Sequence, residues 1–125
     1  MILLDTSVWI EFLRQRETYA REVSMLLRSR LVVAFEPVFA ELLLGVRNNR
    51  EKQIILDYWN ALPKLASQEG YLLASAHFAN EQKYHSKGIG MMDAAIIRAT
   101  MDGNLQLWTL DKSVLSVLES RFIYK

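Results

Sequence analysis

Four acidic residues of this sequence lie where a carboxylate is unexpected. Asp5 and Asp111 each come just after a short apolar run, and Glu41 and Asp93 lie inside helical stretches whose neighbouring positions are apolar. A lone carboxylate in apolar surroundings is costly unless it is paired or bound to a cation. Four carboxylates converging on one pocket would repel each other unless divalent cations lay between them, and hard oxygen ligands suit Mg²⁺ or Mn²⁺.

Each of these four acids also has an ordinary structural explanation. Asp93 and Asp111 could cap the helices that begin beside them, and Asp5 could be a turn residue. Glu41 could be buried in an ion pair with an arginine. All four explanations would have to hold together, whereas one metal site accounts for every acid at once.

The elements that would position these acids alternate between apolar strands and amphipathic helices. We predict strands at Ile2–Leu4, Leu31–Ala34, Lys64–Ala66, Leu105–Thr109 and Phe122–Tyr124. We predict helices at Val8–Leu13, Thr18–Ser29, Pro37–Gly45 (or on to Asn48-Asn49), Glu51–Leu62, Gln68–Lys87, Asp93–Met101 and Lys112–Leu118. This alternation predicts an α/β three-layer fold with a mainly parallel central sheet flanked by helices. Ligands of such sheets bind beyond the carboxyl ends of the strands, where Asp5 and Asp111 are expected.

Length and composition restrict the class of protein. With 125 residues, 51% of them hydrophobic and 23% charged, the chain is expected to be one globular domain, 1–125, with a real core. The 15 basic and 14 acidic residues give a net charge of +1, which argues against nucleic-acid binding by bulk charge alone. The absence of cysteine excludes disulfides and thiolate chemistry. No signal peptide or membrane span is found, so we expect a cytoplasmic protein.

Four motifs, in order, resemble those of PIN-domain ribonucleases. They are Leu4-Asp5-Thr6-Ser7-Val8-Trp9-Ile10, Ala40-Glu41-Leu42 through Gly45, Asp93-Ala94-Ala95-Ile96-Ile97 and Thr109-Leu110-Asp111. The length, and the two helices between the second and third acids, are similar to VapC-type toxins of bacterial toxin–antitoxin pairs. The resemblance covers essentially the whole chain.

The resemblance implies a site and a reaction. Asp5, Glu41, Asp93 and Asp111, here called the acidic quartet, would hold Mg²⁺ (or Mn²⁺) and cut RNA to leave a 5′-phosphate and a 3′-hydroxyl. Ser7 and Thr109 match positions whose hydroxyls support the acids. The resemblance also implies a homodimer and a small antitoxin partner, for which Leu42, Leu43 and Val46 or the apolar face of the Thr18–Ser29 helix could provide surfaces.

Basic residues on the rim of the site are the candidates for binding RNA, because Lys and Arg neutralise phosphates without specifying sequence. The candidates are Arg14, Arg16, Arg47, Arg50, Lys52 and Lys112. A solvated turn between two helices is the alternative explanation for the basic residues from 47 to 52.

Three rival functions remain open at the level of sequence. A catalytically idle PIN fold could serve as an RNA-binding or assembly module. An Asp-based phosphatase would need a second Asp two residues after Asp5, where this chain has Ser7. A receiver domain would need a further acidic pair and a phosphorylatable Asp, which we do not find. Cleavage by paired histidines is disfavoured because His77 and His85 lie far from every acid motif.

Overall fold

A three-stranded parallel sheet forms the centre of the molecule in a computed structural model that describes all of residues 1–125. Strands β1 (Ile2–Leu4), β2 (Val32–Val33) and β3 (Gln106–Trp108) lie in the order β2-β1-β3. Every residue of β1 is buried, as expected for the central strand of a sheet that is covered on both faces. Because all three strands are parallel, Asp5 and the residues after Trp108 leave the sheet at the same edge.

Seven α-helices flank this sheet. They are α1 (Thr6–Leu13), α2 (Glu17–Arg28), α3 (Glu36–Gly45), α4 (Asn49–Ala61), α5 (Tyr71–Glu81), α6 (Met91–Asp102) and α7 (Lys112–Val117). Helix α1 packs against α2 and α3, α3 packs against α4 and α6, and α5 packs against α6. The predicted α/β three-layer fold with a parallel sheet is confirmed. None of the helices has the length and apolar character that a membrane span requires.

The apolar core fixes the two helices that carry internal acids. Helix α6 buries a continuous stretch from Ala94 to Ile97, which begins directly after Asp93. Helix α3 buries Val38, Phe39 and Leu42, so its core-facing side is settled by three large side chains. The backbone around both acids is therefore held by packing rather than by the acids themselves.

The predicted long helix Gln68–Lys87 is wrong. Helix α5 covers only Tyr71–Glu81, after Gly70 in the left-handed conformation with φ of +80°. Lys83 is also left-handed, with φ of +58°, which ends the helical path before a 3₁₀ turn at Tyr84–Lys87. Tyr84 is buried in the core, and this burial outweighs the helical preference of the surrounding sequence.

Two predicted strands are reduced to single bridges. In place of a strand at Lys64–Ala66, Lys64 makes one parallel bridge to Ala34. In place of a strand at Phe122–Tyr124, the chain forms a 3₁₀ turn at Ser120–Phe122 and Ile123 makes one parallel bridge to Leu107. Their apolar residues pack against the core, which explains the apolar pattern without a ladder of hydrogen bonds.

Candidate active site

Asp5 is the most constrained member of the acidic quartet. It is only 6% exposed and forms the N-cap of α1, where its Oδ1 accepts the Thr6 amide at 2.8 Å. Its Oδ2 accepts the Thr109 hydroxyl at 2.6 Å and the Ser7 hydroxyl at 3.4 Å. The structure therefore brings Ser7 and Thr109, the two predicted supporting residues, into contact with the first acid. Both carboxylate oxygens have fixed directions as a result.

Asp111 is tied to the same network. The Thr109 hydroxyl that donates to Asp5 also accepts the Asp111 amide at 3.0 Å, and Ser7 Oγ accepts the Leu110 amide at 3.1 Å. The interpretation of Asp111 as a helix cap is confirmed, because its Oδ1 accepts the amides of Ser113 and Val114 at the start of α7. Only Oδ1 takes part in these bonds, so the cap leaves Oδ2 available.

The pKa of Asp93 depends on the other three acids of the quartet. Asp93 lies in the first turn of α6, three residues after the N-cap Gly90, and so does not occupy the N-cap position itself. Partial burial is the largest cause that raises the pKa of Asp93 from 3.8 to about 6, and the negative charges of Asp111, Asp5 and Glu41 contribute to the same rise, in that order of effect. The Gly90 amide acts in the opposite direction. All three other members of the quartet therefore act on Asp93 through space.

Glu41 has a different environment from the one its sequence predicts. Its side chain is exposed, because α3 turns Val38, Phe39 and Leu42 toward the core and leaves Glu41 on another face. The expected burial is wrong, and so is the alternative of an arginine pair. Neighbouring atoms still shield part of the Glu41 carboxylate from solvent, and this raises its pKa. The negative charge of Asp5 raises the pKa of Glu41 as well.

No basic side chain neutralises the acidic quartet. The six ion pairs of the chain all involve other carboxylates. The hydroxyl of Thr6, next to Asp5, is also buried without a hydrogen-bond partner. Four unpaired carboxylates are the oxygen donors that a hard divalent cation takes, so the residue types fit Mg²⁺ or Mn²⁺. The four carboxylates do not form a complete metal site by themselves, since no group of three His or acidic side chains is arranged to hold a metal ion.

The predicted RNA-binding residues are dispersed. Arg14 and Arg47 line a cavity together with Glu41. Arg16 pairs with Glu11 at 3.7 Å, and Arg50 lines a separate groove that contains Phe12 and Tyr58. Lys112 is exposed at the start of α7, directly beside Asp111, and Lys52 is exposed on α4.

The predicted partner surfaces are partly wrong. Leu42 is buried in the core at 4% exposure and is not available to a partner, while Leu43 and Val46 are half-buried. The neighbouring Leu44 is instead 90% exposed, and Met25 of α2 is 47% exposed.

Sequence reasoning missed two residues beside the site, Thr6 and Glu51. Glu51 is 5% exposed and binds the Arg47 guanidinium with an N–O distance of 2.7 Å. A signal was present in the pattern Asn48-x-x-Glu51, which is a form of the capping box, and it would have predicted a fixed turn before α4.

Comparisons with known proteins agree with this geometry. The family model described as PIN domain matches residues 2–118. The fold is similar to a chain in the crystal structure of VapBC2 from Rickettsia felis bound to a DNA fragment from their promoter, with a TM-score of 0.71, 19% identity, and coverage of 100% of this chain and 98% of that chain. It is also similar to a chain in the crystal structure of FitAcB from Neisseria gonorrhoeae, with a TM-score of 0.63, 23% identity, and coverage of 93% and 91%.

A search of the curated proteins finds no match to this chain. At identities below 25%, the two solved structures establish a shared fold, and the family model supplies the membership. The match spans all four motifs of the acidic quartet, from β1 to the start of α7. The chain therefore belongs to the PIN domain family.

Proposed function

We propose that this protein is a metal-dependent endoribonuclease that hydrolyses RNA phosphodiester bonds. In this proposal Asp5, Glu41, Asp93 and Asp111 bind Mg²⁺ or Mn²⁺ and carry the reaction. The observation that carries it is the hydrogen-bond network in which the Thr109 hydroxyl donates to the Asp5 carboxylate and accepts the Asp111 amide, while no basic side chain pairs with any of the four acids. Membership of the PIN domain family supports the same chemistry.

The residues of the chain have separate tasks in this reaction. Asp5 keeps one orientation because Thr109 and the Thr6 amide hold its two oxygens. Asp111 is oriented by its cap on α7. Asp93 can gain or release a proton near pH 6 in the metal-free protein, because its pKa lies there. A bound divalent cation would supply Lewis-acid activation of water and would neutralise charge on the transferred phosphate.

The oxygen ligands of the quartet suit magnesium. Mg²⁺ usually keeps several of its waters and is held through one or two carboxylates together with phosphate oxygens of the substrate. Such a site does not require three protein ligands grouped in advance, and the chain shows no such group. In this proposal one or two acids of the quartet would hold the ion directly and the others would hold it through its waters.

We also propose that the chain is the toxin of a toxin–antitoxin pair, forms a homodimer, binds a small antitoxin and acts in the cytoplasm on RNA. The two similar structures, of VapBC2 and of FitAcB, support the small antitoxin partner.

The test is cleavage of single-stranded RNA by purified protein with Mg²⁺ or Mn²⁺. We expect EDTA to abolish cleavage and Asp5→Asn to reduce it by roughly 10²-fold or more, as when a group that stabilises transition-state charge is lost. Asn can still cap α1, so the variant should keep its fold. The matched control is Asp57→Asn, which changes an exposed acid of α4 bonded to Gln53 and should leave cleavage unchanged.

A catalytically idle RNA-binding module is the second candidate. The observation behind this candidate is that no three His or acidic side chains are grouped to hold a metal ion. In that case RNA would bind equally well with and without divalent cations, and no product would form under any of these conditions. Equal cleavage by the wild type and Asp5→Asn would instead reveal a contaminating nuclease and contradict the proposed site.

A further inference from the structure

A cavity of about 280 Å³ opens beside Glu41, between α1, α3 and the turn that leads into α4. We call it the α1–α3 cavity. Its polar lining consists of Thr6, Arg14, Glu41, Arg47 and Glu51, and its apolar wall of Ile10, Leu13, Leu42 and Val46, with Gly45 beside them. The same space therefore contains one acid of the quartet, two guanidinium groups and an apolar surface.

Arg47 is held rigidly at this cavity by Glu51. The Arg47 Nη2 and Nε lie 2.7 and 3.2 Å from Glu51 Oε2, and the Arg47 amide donates to Oε1 at 2.9 Å. Glu51 is itself fixed, because its amide donates to the Asn48 side chain at 2.9 Å at the start of α4. These hydrogen bonds lower the pKa of Glu51, so it remains charged and keeps its hold on the guanidinium.

The bonds to Glu51 use only one edge of the Arg47 guanidinium. The Nε and Nη2 atoms face Glu51, whereas Nη1 makes no hydrogen bond within the chain. The Arg47 side chain is 60% exposed, so the edge formed by Nη1 and the second Nη2 hydrogen is open to solvent. A planar pair of N–H donors of this kind matches two oxygens of a phosphate. Arg14, which forms no ion pair, lines the same cavity.

We propose that the α1–α3 cavity binds one RNA nucleotide next to the cleaved phosphodiester, and that Arg47 positions its phosphate while Glu51 holds Arg47 in place. This inference rests on the proposed ribonuclease function. The cavity adjoins the acidic quartet, because Glu41 and Thr6, the residue that follows Asp5, both line it. The apolar wall contacts the base or ribose of the nucleotide.

Charge alone would not give the cavity affinity for RNA. Its two arginines are balanced by two carboxylates, Glu41 and Glu51. A purely electrostatic account therefore predicts that removing the Glu51 charge strengthens RNA binding. If Glu51 instead serves to position Arg47, Glu51→Gln should weaken RNA binding, because Gln would no longer hold the Arg47 guanidinium in one orientation. The sign of this one effect separates the two accounts.

The experiment measures binding of a fluorescein-labelled single-stranded RNA oligonucleotide by anisotropy in EDTA, so that cleavage is not required. We expect Arg47→Lys to weaken binding roughly tenfold, since it keeps the charge but loses the paired donors. We expect Glu51→Gln to weaken binding as well, with the ionic-strength dependence of the wild type retained. The matched controls are Arg21→Lys and Glu17→Gln, which alter another Arg–Glu pair four residues apart, on α2, and should bind as the wild type does.

Each outcome decides the proposal. Tighter binding by Glu51→Gln, or unchanged binding by Arg47→Lys, overturns it. If Glu51→Gln does not fold, Arg47→Lys decides alone, because Arg47 lies on the surface. If the wild type cleaves no RNA but both variants lose RNA binding, the proposed nuclease function fails while the cavity remains an RNA site.

Discussion

Asp5 differs from the other acids because the chain itself satisfies both of its oxygens. One oxygen caps α1, and the other accepts a 2.6 Å bond from Thr109, which is 104 residues away along the chain. A carboxylate held in this way loses little conformational freedom when it meets a cation. The hydroxyl of Thr109 therefore has two roles: it joins two distant parts of the chain, and it orients the Asp5 carboxylate.

Replacing Thr109 by Val should affect both stability and cleavage. The change leaves Asp5 Oδ2 with only the 3.4 Å bond from Ser7 and leaves the Asp111 amide without its acceptor. We expect a loss of about 1–3 kcal/mol in the free energy of unfolding, measured with urea. Thr109→Ser keeps both bonds and should retain most of the stability and activity.

The matched control for Thr109→Val is Thr100→Val. Thr100 is also a fully buried threonine, but its hydroxyl donates to the Ile96 carbonyl within α6 and touches no acid. Thr100→Val should cleave RNA at the wild-type rate. If both variants lost cleavage to the same degree, the role assigned to Thr109 in orienting Asp5 would be wrong.

Asp93→Asn should make the metal-free protein more stable at neutral pH. The pKa of Asp93 is about 6 in the folded chain, against roughly 3.9 for an unfolded Asp. Between these two values the folded state keeps a proton that the unfolded state has lost, so the free energy of unfolding falls as the pH rises. The loss is complete above about pH 6, and Asn avoids it.

The expected gain for Asp93→Asn at pH 7.5 in EDTA is about 1 kcal/mol, because solvent screens a half-exposed carboxylate and reduces the roughly 3 kcal/mol of the full pKa shift. The difference should vanish near pH 4, where both proteins carry a neutral group. Urea unfolding at pH 4, 5.5 and 7.5 measures it. If the variant were less stable than the wild type at pH 7.5, the negative charge of Asp93 would stabilise α6 by more than repulsion from the other three acids destabilises the fold.

At α7, the role of Asp111 as a helix cap can be measured separately from the role of its negative charge. It is only six residues long, and Asp111 caps it through two amides. Asn caps a helix about as well as Asp, whereas Ala does not. Asp111→Asn should therefore keep the wild-type melting temperature but lose RNA cleavage, and Asp111→Ala should lose cleavage and about 1 kcal/mol of stability. Full cleavage by Asp111→Asn would show that Asp111 serves only as a cap.

The strands of the sheet were predictable from sequence, whereas the two segments that make single bridges to it and the break in the stretch from 68 to 87 were not. The apolar run Ile2–Leu4 gives a strand that is buried at every residue, as in a parallel sheet covered on both faces, and Gln106–Trp108 gives a strand in which only Leu107 is buried. The stretch from 68 to 87 has a helical pattern throughout, but the left-handed Lys83 and buried Tyr84 divide it. Tertiary packing decides that break, and local sequence does not encode it.

The candidate site also has features that the sequence could predict and features that it could not. The positions of Asp5 and Asp111 follow from strand ends, a rule that sequence alone can apply. The exposure of Glu41 depends on how α3 rotates against the core, and an almost wholly apolar helix such as this one gives no periodicity from which to read that rotation. Thr109 reaches Asp5 only because β1 and β3 pair, so the bond between them is a product of the whole fold.

At the scale of the whole molecule, the acids and the cavity form two parts of one surface with opposite requirements. In the proposed reaction the acidic quartet binds a cation, and in the proposed nucleotide site the two arginines of the α1–α3 cavity bind an anion. A net charge of +1 leaves the overall field weak, so neither part depends on bulk attraction. Glu41 belongs to both parts and connects them.

Divalent cations should stabilise the folded protein, and more so at pH 7.5 than at pH 5. A ligand that binds only the folded state adds about 2.7 kcal/mol at 100 times its Kd, which corresponds to several degrees in melting temperature for a chain of this size. Protonated Asp93 competes with the cation below its pKa of about 6, so the shift should shrink at pH 5. Melting curves with Mg²⁺, Mn²⁺ and EDTA at both pH values measure this. Asp5→Asn should lose the shift and Asp57→Asn should keep it; an equal shift in both variants would mean that the cations bind elsewhere on the molecule.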